Sequence, residues 1–171
     1  MTRQYTNRRF LDALNERVLI FDGAMGTSLQ KMNLNAAHYG GGKTFGCNDY
    51  LVITYPQAVE QVHRSFLEVG VDVIETDSFR SNRLTLGDYG LSNRVHEINH
   101  AAAKLARRVA DEFSTPEQPR FVAGSIGPSG KLISMVDPEL SNIYFNELSE
   151  IFEEQAIGLI EGGVDLLLIE T

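Results

Sequence analysis

GVDVIET, residues 70–76, and GVDLLLIET, residues 163–171, are two copies of one phrase. In each copy a glycine closes a helical pattern and a Val-Asp pair opens a short apolar run. The run then delivers a carboxylate, Glu75 or Glu170, followed by threonine. Continuous apolar runs of this length suit strands buried on both faces, as in parallel sheets. A repeated strand that carries an acid to its C-terminal edge predicts an α/β barrel with its site at that rim.

Working outward, the chain alternates between the two periodicities. Residues 8–16 predict a short amphipathic helix, and VLIFD at 18–22 a buried strand that meets Gly23 in a tight turn. Residues 33–50, rich in glycine and asparagine, predict a long loop. Pro56 stands at the first position of a helix running to about Gly70, with Val59, Val62, Phe66 and Val69 on its apolar face. After the strand at 71–76, a helix over 94–113 places Val95, Ile98, Ala102, Leu105 and Val109 on one side. FVAGSIGP at 121–128 reads as a third strand and its exit. A helix capped near Asn146 carries Leu148, Ile151, Phe152 and Ile160 and ends at Gly162-Gly163; the last strand is 164–170.

Strand starts near 18, 71, 121 and 164 are separated by about 53, 50 and 43 residues. Eight such units would need roughly twice this length, so the expected architecture is parallel (βα) units forming the N-terminal half of a (βα)8 barrel. Residues 1–17 are an N-terminal extension and helix, and 18–171 the half-barrel. A complete, small doubly wound sheet is the rival, but it would usually have shorter βα loops than 23–55.

Composition excludes several function classes. A net charge of −8 argues against a nucleic-acid surface. No apolar run approaches the ~20 residues of a membrane span, and MTRQYTNRRF lacks the apolar core of a signal peptide, so a cytoplasmic protein is expected. One cysteine, Cys47, permits neither an internal disulfide nor a cysteine-rich zinc site.

The chemistry gathers where strands end: Asp22, Glu75, Asp77, Ser125 and Glu170 converge on one mouth if the strands are parallel. The alternative for any one of these acids is a helix cap or loop residue satisfied by backbone N–H groups, a reading that suits Asp77 better than Asp22 or Glu170. The most specific local string is Asp22-Gly23-Ala24-Met25-Gly26-Thr27. Small residues straight after a strand leave backbone N–H groups open to an anion, and the neighbouring Asp22 suits an ammonium. Together they fit the head of an α-amino acid. The spacing is not that of a dinucleotide fingerprint.

DGAMGT at 22–27, ND at 48–49, ETDSF at 75–79, DYGL at 88–91, INHAAAKLAR at 98–107, FVAGSIGP at 121–128 and the closing GGVDLLLIET together resemble the homocysteine S-methyltransferase domain. Within that family the chain is most similar to the N-terminal module of cobalamin-dependent methionine synthases. The resemblance implies that Asp22 and Glu170 bind the amino group of homocysteine, that the backbone at Gly23 and Ala24 receives its carboxylate, and that Phe79 forms part of the apolar wall. It implies zinc and cobalamin for a full-length enzyme. It also implies partners in the form of the remaining half of the barrel and the cobalamin and folate modules. The family's zinc site uses three cysteines from the second half of the barrel, so no metal ligand and no catalytic residue is assigned within these 171 residues, and Cys47 is expected to be a small buried or partly exposed thiol.

Two departures stand out: Asp77 occupies a place commonly held by asparagine, and Ser129-Gly130-Lys131 replaces a common Thr-Asn, with no role for Lys131. The expected parent function is methyl transfer to the homocysteine thiol to form methionine. The chain is read as a fragment that supplies the amino-acid-binding half and is inactive alone. The alternatives are a fragment of a betaine- or S-methylmethionine-dependent homocysteine methyltransferase, and a non-catalytic half-barrel that binds or assembles with a partner.

Overall fold

A computed structural model describes residues 8–133, 139 and 142–170, so Thr171, the last residue of the second phrase, lies outside the described residues. In chain order the helices and strands are α1 (Arg8–Glu16), α2 (Met25–Gln30), α3 (Leu51–Thr54), α4 (Pro56–Glu68), β1 (Val73–Glu75), α5 (Arg83–Gly87), α6 (Val95–Phe113), β2 (Phe121–Ile126), α7 (Phe145–Gly162) and β3 (Leu166–Ile169). The three strands lie parallel in the order β1-β2-β3, with Val73 opposite Phe121 and Ala123 opposite Leu166. The fold is therefore α/β with a parallel sheet, as the sequence predicts.

The segment 18–22 falls short of the regular strand expected of it. It joins β1 through one parallel bridge, Phe21 to Val73, supported by Asp72 N–H to Ile20 O at 2.8 Å and Asp22 N–H to Val73 O at 2.9 Å. Its other side has no strand partner among the described residues, and Val18 is 79 % exposed. An apolar run reads as a buried strand only where both neighbours are present.

The sheet has two unlike faces. Ile74, Val122 and Leu167 point into the main core, with residues of α4, α6 and α7. The five α6 residues picked out by helical spacing are all buried there. The opposite face carries Val73, Phe121, Ala123 and Leu19, and α1 lays Phe10 and Ala13 against it; Phe10 meets Phe121 edge-on at 5.3 Å. Two apolar expectations fail. Val69 follows the end of α4 and is 80 % exposed, and Ile160 points outward while Leu159 and Gln155 turn inward. The helix read as capped near Asn146 starts at Phe145 after an extended Tyr144, with no side-chain cap. The long loop 33–50 contains two single helical turns, Gly42–Thr44 and Asn48–Tyr50.

The doubled phrase also repeats in three dimensions. Gly70 and Gly163 take left-handed φ values of 98° and 99°, a conformation that favours glycine and turns the chain from helix to strand. The next aspartates then grip the preceding strand identically. Asp72 N–H donates to Ile20 O, and the Asp72 carboxylate accepts from Ile20 N–H at 2.9 Å. Asp165 N–H donates to Val122 O, and its carboxylate accepts from Val122 N–H at 2.8 Å. Each carboxylate is also held by arginine, Asp72 by Arg17 and Arg120, Asp165 by Arg107. Burial works against charge on Asp72, but Arg17, the Ile20 amide and Arg120 outweigh it and hold the carboxyl below its usual range. The start of each phrase thus locks one strand to its neighbour, and its end reaches the site. No helix among the described residues is long and apolar enough to cross a membrane.

Candidate functional site

A cavity of about 260 Å³ opens at the C-terminal ends of the strands. Asp22, Glu75, Ser125 and Glu170 line it, one residue from or just beyond each of the four parallel segments. This is the convergence expected from the parallel reading. Gly23, Ala24 and Phe79 line it as well, so every residue singled out as a candidate ligand reaches one space.

Hydrogen bonds fix the acids to the sheet. Asp22 Oδ1 accepts from the Glu75 N–H at 2.9 Å, which ties the end of the first segment to the end of β1. Glu170 Oε1 accepts from Ser125 Oγ at 2.6 Å, and Glu170 N–H donates to Ile126 O. Burial pushes the Asp22 carboxyl up to about 7, with the negative charge of Glu75 and Glu170 adding to the effect and the Glu75 N–H opposing it. Burial, then the charge of Glu170, pushes the Glu75 carboxyl up to about 7. Acids placed together in a half-buried cavity resist full ionisation until a cation arrives.

Beside the acids the chain turns sharply. Ala24 adopts a left-handed conformation, φ 50° and ψ 38°, immediately before α2. Among the described residues, the N–H groups of Gly23 and Ala24 have no hydrogen-bond partner. Residues with free backbone donors and residues with carboxylates thus line one small cavity, a combination that matches a zwitterion.

The loop after β1 forms another part of the cavity wall and is braced from several sides. Thr76 Oγ1 accepts from Ser125 N–H and lies 2.6 Å from Ser78 Oγ; Ser78 Oγ donates to Ser125 O. Gln155 on α7 donates to Ser78 O, and Asn99 on α6 donates to Ser81 O. Phe79, 39 % exposed, lies directly over Gly127: a Cβ there would come within 2.6 Å of the ring, so only glycine allows the approach.

Asp49 was legible only as part of the ND string. It is buried, and its Oδ1 accepts from Arg80 N–H at 2.8 Å and Ser81 Oγ at 3.1 Å, clamping the same loop. Burial raises its carboxyl despite these donors. Asp77 is buried with Oδ2 unpartnered among the described residues. Burial and the neighbouring charge of Asp49 hold it well above the carboxylate range. Sequence spacing gives no sign of this pairing, because Asp49 and Asp77 meet only through the loop's return.

The residues present do not fit a zinc site. Cys47 is 1 % exposed, and burial pushes its thiol up to about 12, which opposes the thiolate a metal requires. No group of three His, Cys, Asp or Glu with metal-binding geometry occurs among the described residues.

The sequence profile of the homocysteine S-methyltransferase family matches residues 19–171. The chain belongs to this family. It is 39 % identical over 161 residues to the methionine synthase of Mycobacterium tuberculosis (strain ATCC 25618 / H37Rv) and 38 % identical over the same length to that of Mycobacterium leprae (strain TN). Each alignment covers 94 % of this chain and 13 % of the relative, so this homocysteine S-methyltransferase family member spans about an eighth of the length of those enzymes. Among solved structures, the metallated form of the homocysteine methyltransferase MmuM from Escherichia coli superposes with a TM-score of 0.72 at 20 % identity, covering 96 % of this chain and 57 % of that one. The oxidized form gives 0.74 at 20 % identity, covering 94 % and 56 %. At that identity the likeness establishes the family fold and leaves the chemistry to the residues.

Proposed function

We propose that this chain is the homocysteine-binding part of a methyltransferase that forms methionine, and that its four parallel segments are the N-terminal half of a (βα)8 barrel. The observation that carries the reading is the shared cavity, lined by the carboxylates of Asp22 and Glu170 and by Gly23 and Ala24, whose N–H groups are free. Asp22 and Glu170 take the α-ammonium, the Gly23-Ala24 backbone takes the carboxylate, and Phe79 flanks the thiol-bearing side chain. The coverage of a little over half of each solved relative supports the half-barrel, with residues 8–16 as a helical preface to it.

A free thiol of pKa near ~8.5 is mostly protonated at neutral pH, so methyl transfer needs a group that activates sulfur. Nothing in the described residues does this. The zinc of the parent enzyme and its methylcobalamin therefore belong, in this proposal, to parts of the protein other than these residues, in a cytoplasmic enzyme with cobalamin and folate modules. The outward-facing Val18, Ile20 and Ile169, 79, 55 and 78 % exposed on the two outer segments of the sheet, favour docking of the remaining barrel half.

Calorimetric titration of the purified chain with L-homocysteine tests the reading. Saturable binding is expected, lost in both Asp22→Ala and Glu170→Ala, with no methyl transfer by the chain alone. Absence of binding, or binding indifferent to both substitutions, would overturn it.

A further inference from the structure

Three acids, Asp22, Glu75 and Glu170, line the cavity at the strand ends, and two of them have protein donors. Asp22 Oδ1 accepts the Glu75 N–H and Glu170 Oε1 accepts the Ser125 hydroxyl. The Glu75 carboxylate receives no hydrogen bond from any described residue, yet it lines the cavity beside both. The charged groups around it are almost all of its own sign: Asp22 from the first segment, Asp49 from the turn at 48–50, Asp77 from the loop after β1, and Glu170 from the end of β3. The sole cation on the described wall, Arg80, reaches toward the exposed Asp88 at 3.9 Å. A half-buried acid with no donor and four acids around its cavity lowers its energy by keeping a proton until a cation replaces it.

We propose that Glu75 is a third ammonium ligand, and that it stores a proton in the empty cavity and gives it up to solvent when the amine of an amino acid binds. The inference rests on the homocysteine-binding reading and adds to it a residue and an exchange: one ammonium enters, one proton leaves the Glu75 carboxyl for the buffer, and the charge of the cavity is unchanged. The raised Glu75 carboxyl, close to neutrality, is consistent with this. The consequence is selectivity for a charged α-amine, since a ligand without one leaves the proton in place.

The test is titration calorimetry of the full chain with L-homocysteine in buffers of different ionisation enthalpy. At least about one proton should be released per ligand at pH 6, with Asp22 adding to the share of Glu75, and under about 0.3 at pH 8, with binding at least about tenfold weaker at pH 6 than at pH 8. 4-Mercaptobutanoate, which lacks the amine, should release none. In Glu75→Gln the release at pH 6 should fall by at least about half a proton, what remains coming from Asp22, and the pH dependence should weaken accordingly. A ligand-free measurement stands beside these: one ¹³C side-chain carboxyl signal of glutamate should titrate near 7 in the wild type and be missing in Glu75→Gln. Homocysteine binding without proton release, or with release unchanged in Glu75→Gln, would overturn the inference and leave the functional reading intact. No homocysteine binding at any pH would overturn both, whatever the carboxyl signal does.

Discussion

Replacing Asp165 by alanine should destabilise the chain by about 2–3 kcal/mol, and the figure follows from what each partner keeps. The side chain is 5 % exposed and accepts from Arg107 Nη1 at 2.7 Å and from Val122 N–H at 2.8 Å. Val122 lies at the centre of the sheet and is fully buried, so its N–H would lose an acceptor that water does not replace, at a cost of about 1–3 kcal/mol. Arg107 is better placed: it retains Asp111 Oδ1 at 2.7 Å and Arg120 O at 3.1 Å. The ~3–5 kcal/mol of a stranded buried charge is therefore an upper bound. Asp165→Asn keeps an oxygen for Val122 N–H and should cost only about 1 kcal/mol. Asp111→Ala removes a carboxylate that is 64 % exposed and should cost less than about 0.5 kcal/mol. Urea unfolding followed by circular dichroism gives the three values from shifts in midpoint at constant slope. The reasoning predicts an order, alanine at 165 worst and alanine at 111 mildest. Equal losses for Asp165→Ala and Asp165→Asn would show that the ion pair, and not the strand-to-strand hydrogen bond, carries the energy.

Ser125→Ala should weaken homocysteine binding roughly 3–10-fold, because Glu170 loses its 2.6 Å donor and the orientation it imposes, a loss of about 1 kcal/mol; an unchanged dissociation constant would detach Glu170 from the ligand. His63, fully buried with both ring nitrogens unpartnered among the described residues, is pushed down to about 4 by burial. The unfolded chain, with an ordinary histidine near ~6.5, binds the proton more readily, so stability is lost as pH falls from about 6.5 to about 4 and regained as it rises. Between pH 7.5 and pH 5 this loss is about 2 kcal/mol, and the stability of His63→Leu relative to wild type should rise by that amount over the same interval in paired urea melts. A gap that stays constant would mean that the ring takes up its proton in the folded state.

The parts of the molecule legible in the sequence are those where one residue's chemistry depends on its immediate neighbours. Gly70 and Gly163 announce left-handed helix exits, Pro56 opens α4 where its missing N–H is harmless, and the α6 residues at helical spacing are buried as expected. Strand-end acids are legible for the same reason, since a parallel sheet brings every C-terminal edge to one side. What depends on distant neighbours is not. Residues 18–22 have the composition of an inner strand but have a partner on only one side, so they pair by a single bridge. Asp49 reads as one residue of a loop until the 75–82 segment returns and donates Arg80 N–H and Ser81 Oγ to it. The same distinction runs through the doubled phrase. Its aspartates look like solvent-seeking strand starts, yet Asp72 is buried and the side chain of Asp165 is 5 % exposed, and each closes a hydrogen-bonded ring with one residue of the previous strand. Its glutamates look equivalent and are not: Glu170 has a hydroxyl donor from Ser125, whereas Glu75 has none and sits among like charges. One phrase written twice thus yields two identical latches at the base of the sheet and two different acids at its mouth, because the base is built by backbone geometry that repeats and the mouth by loops that do not.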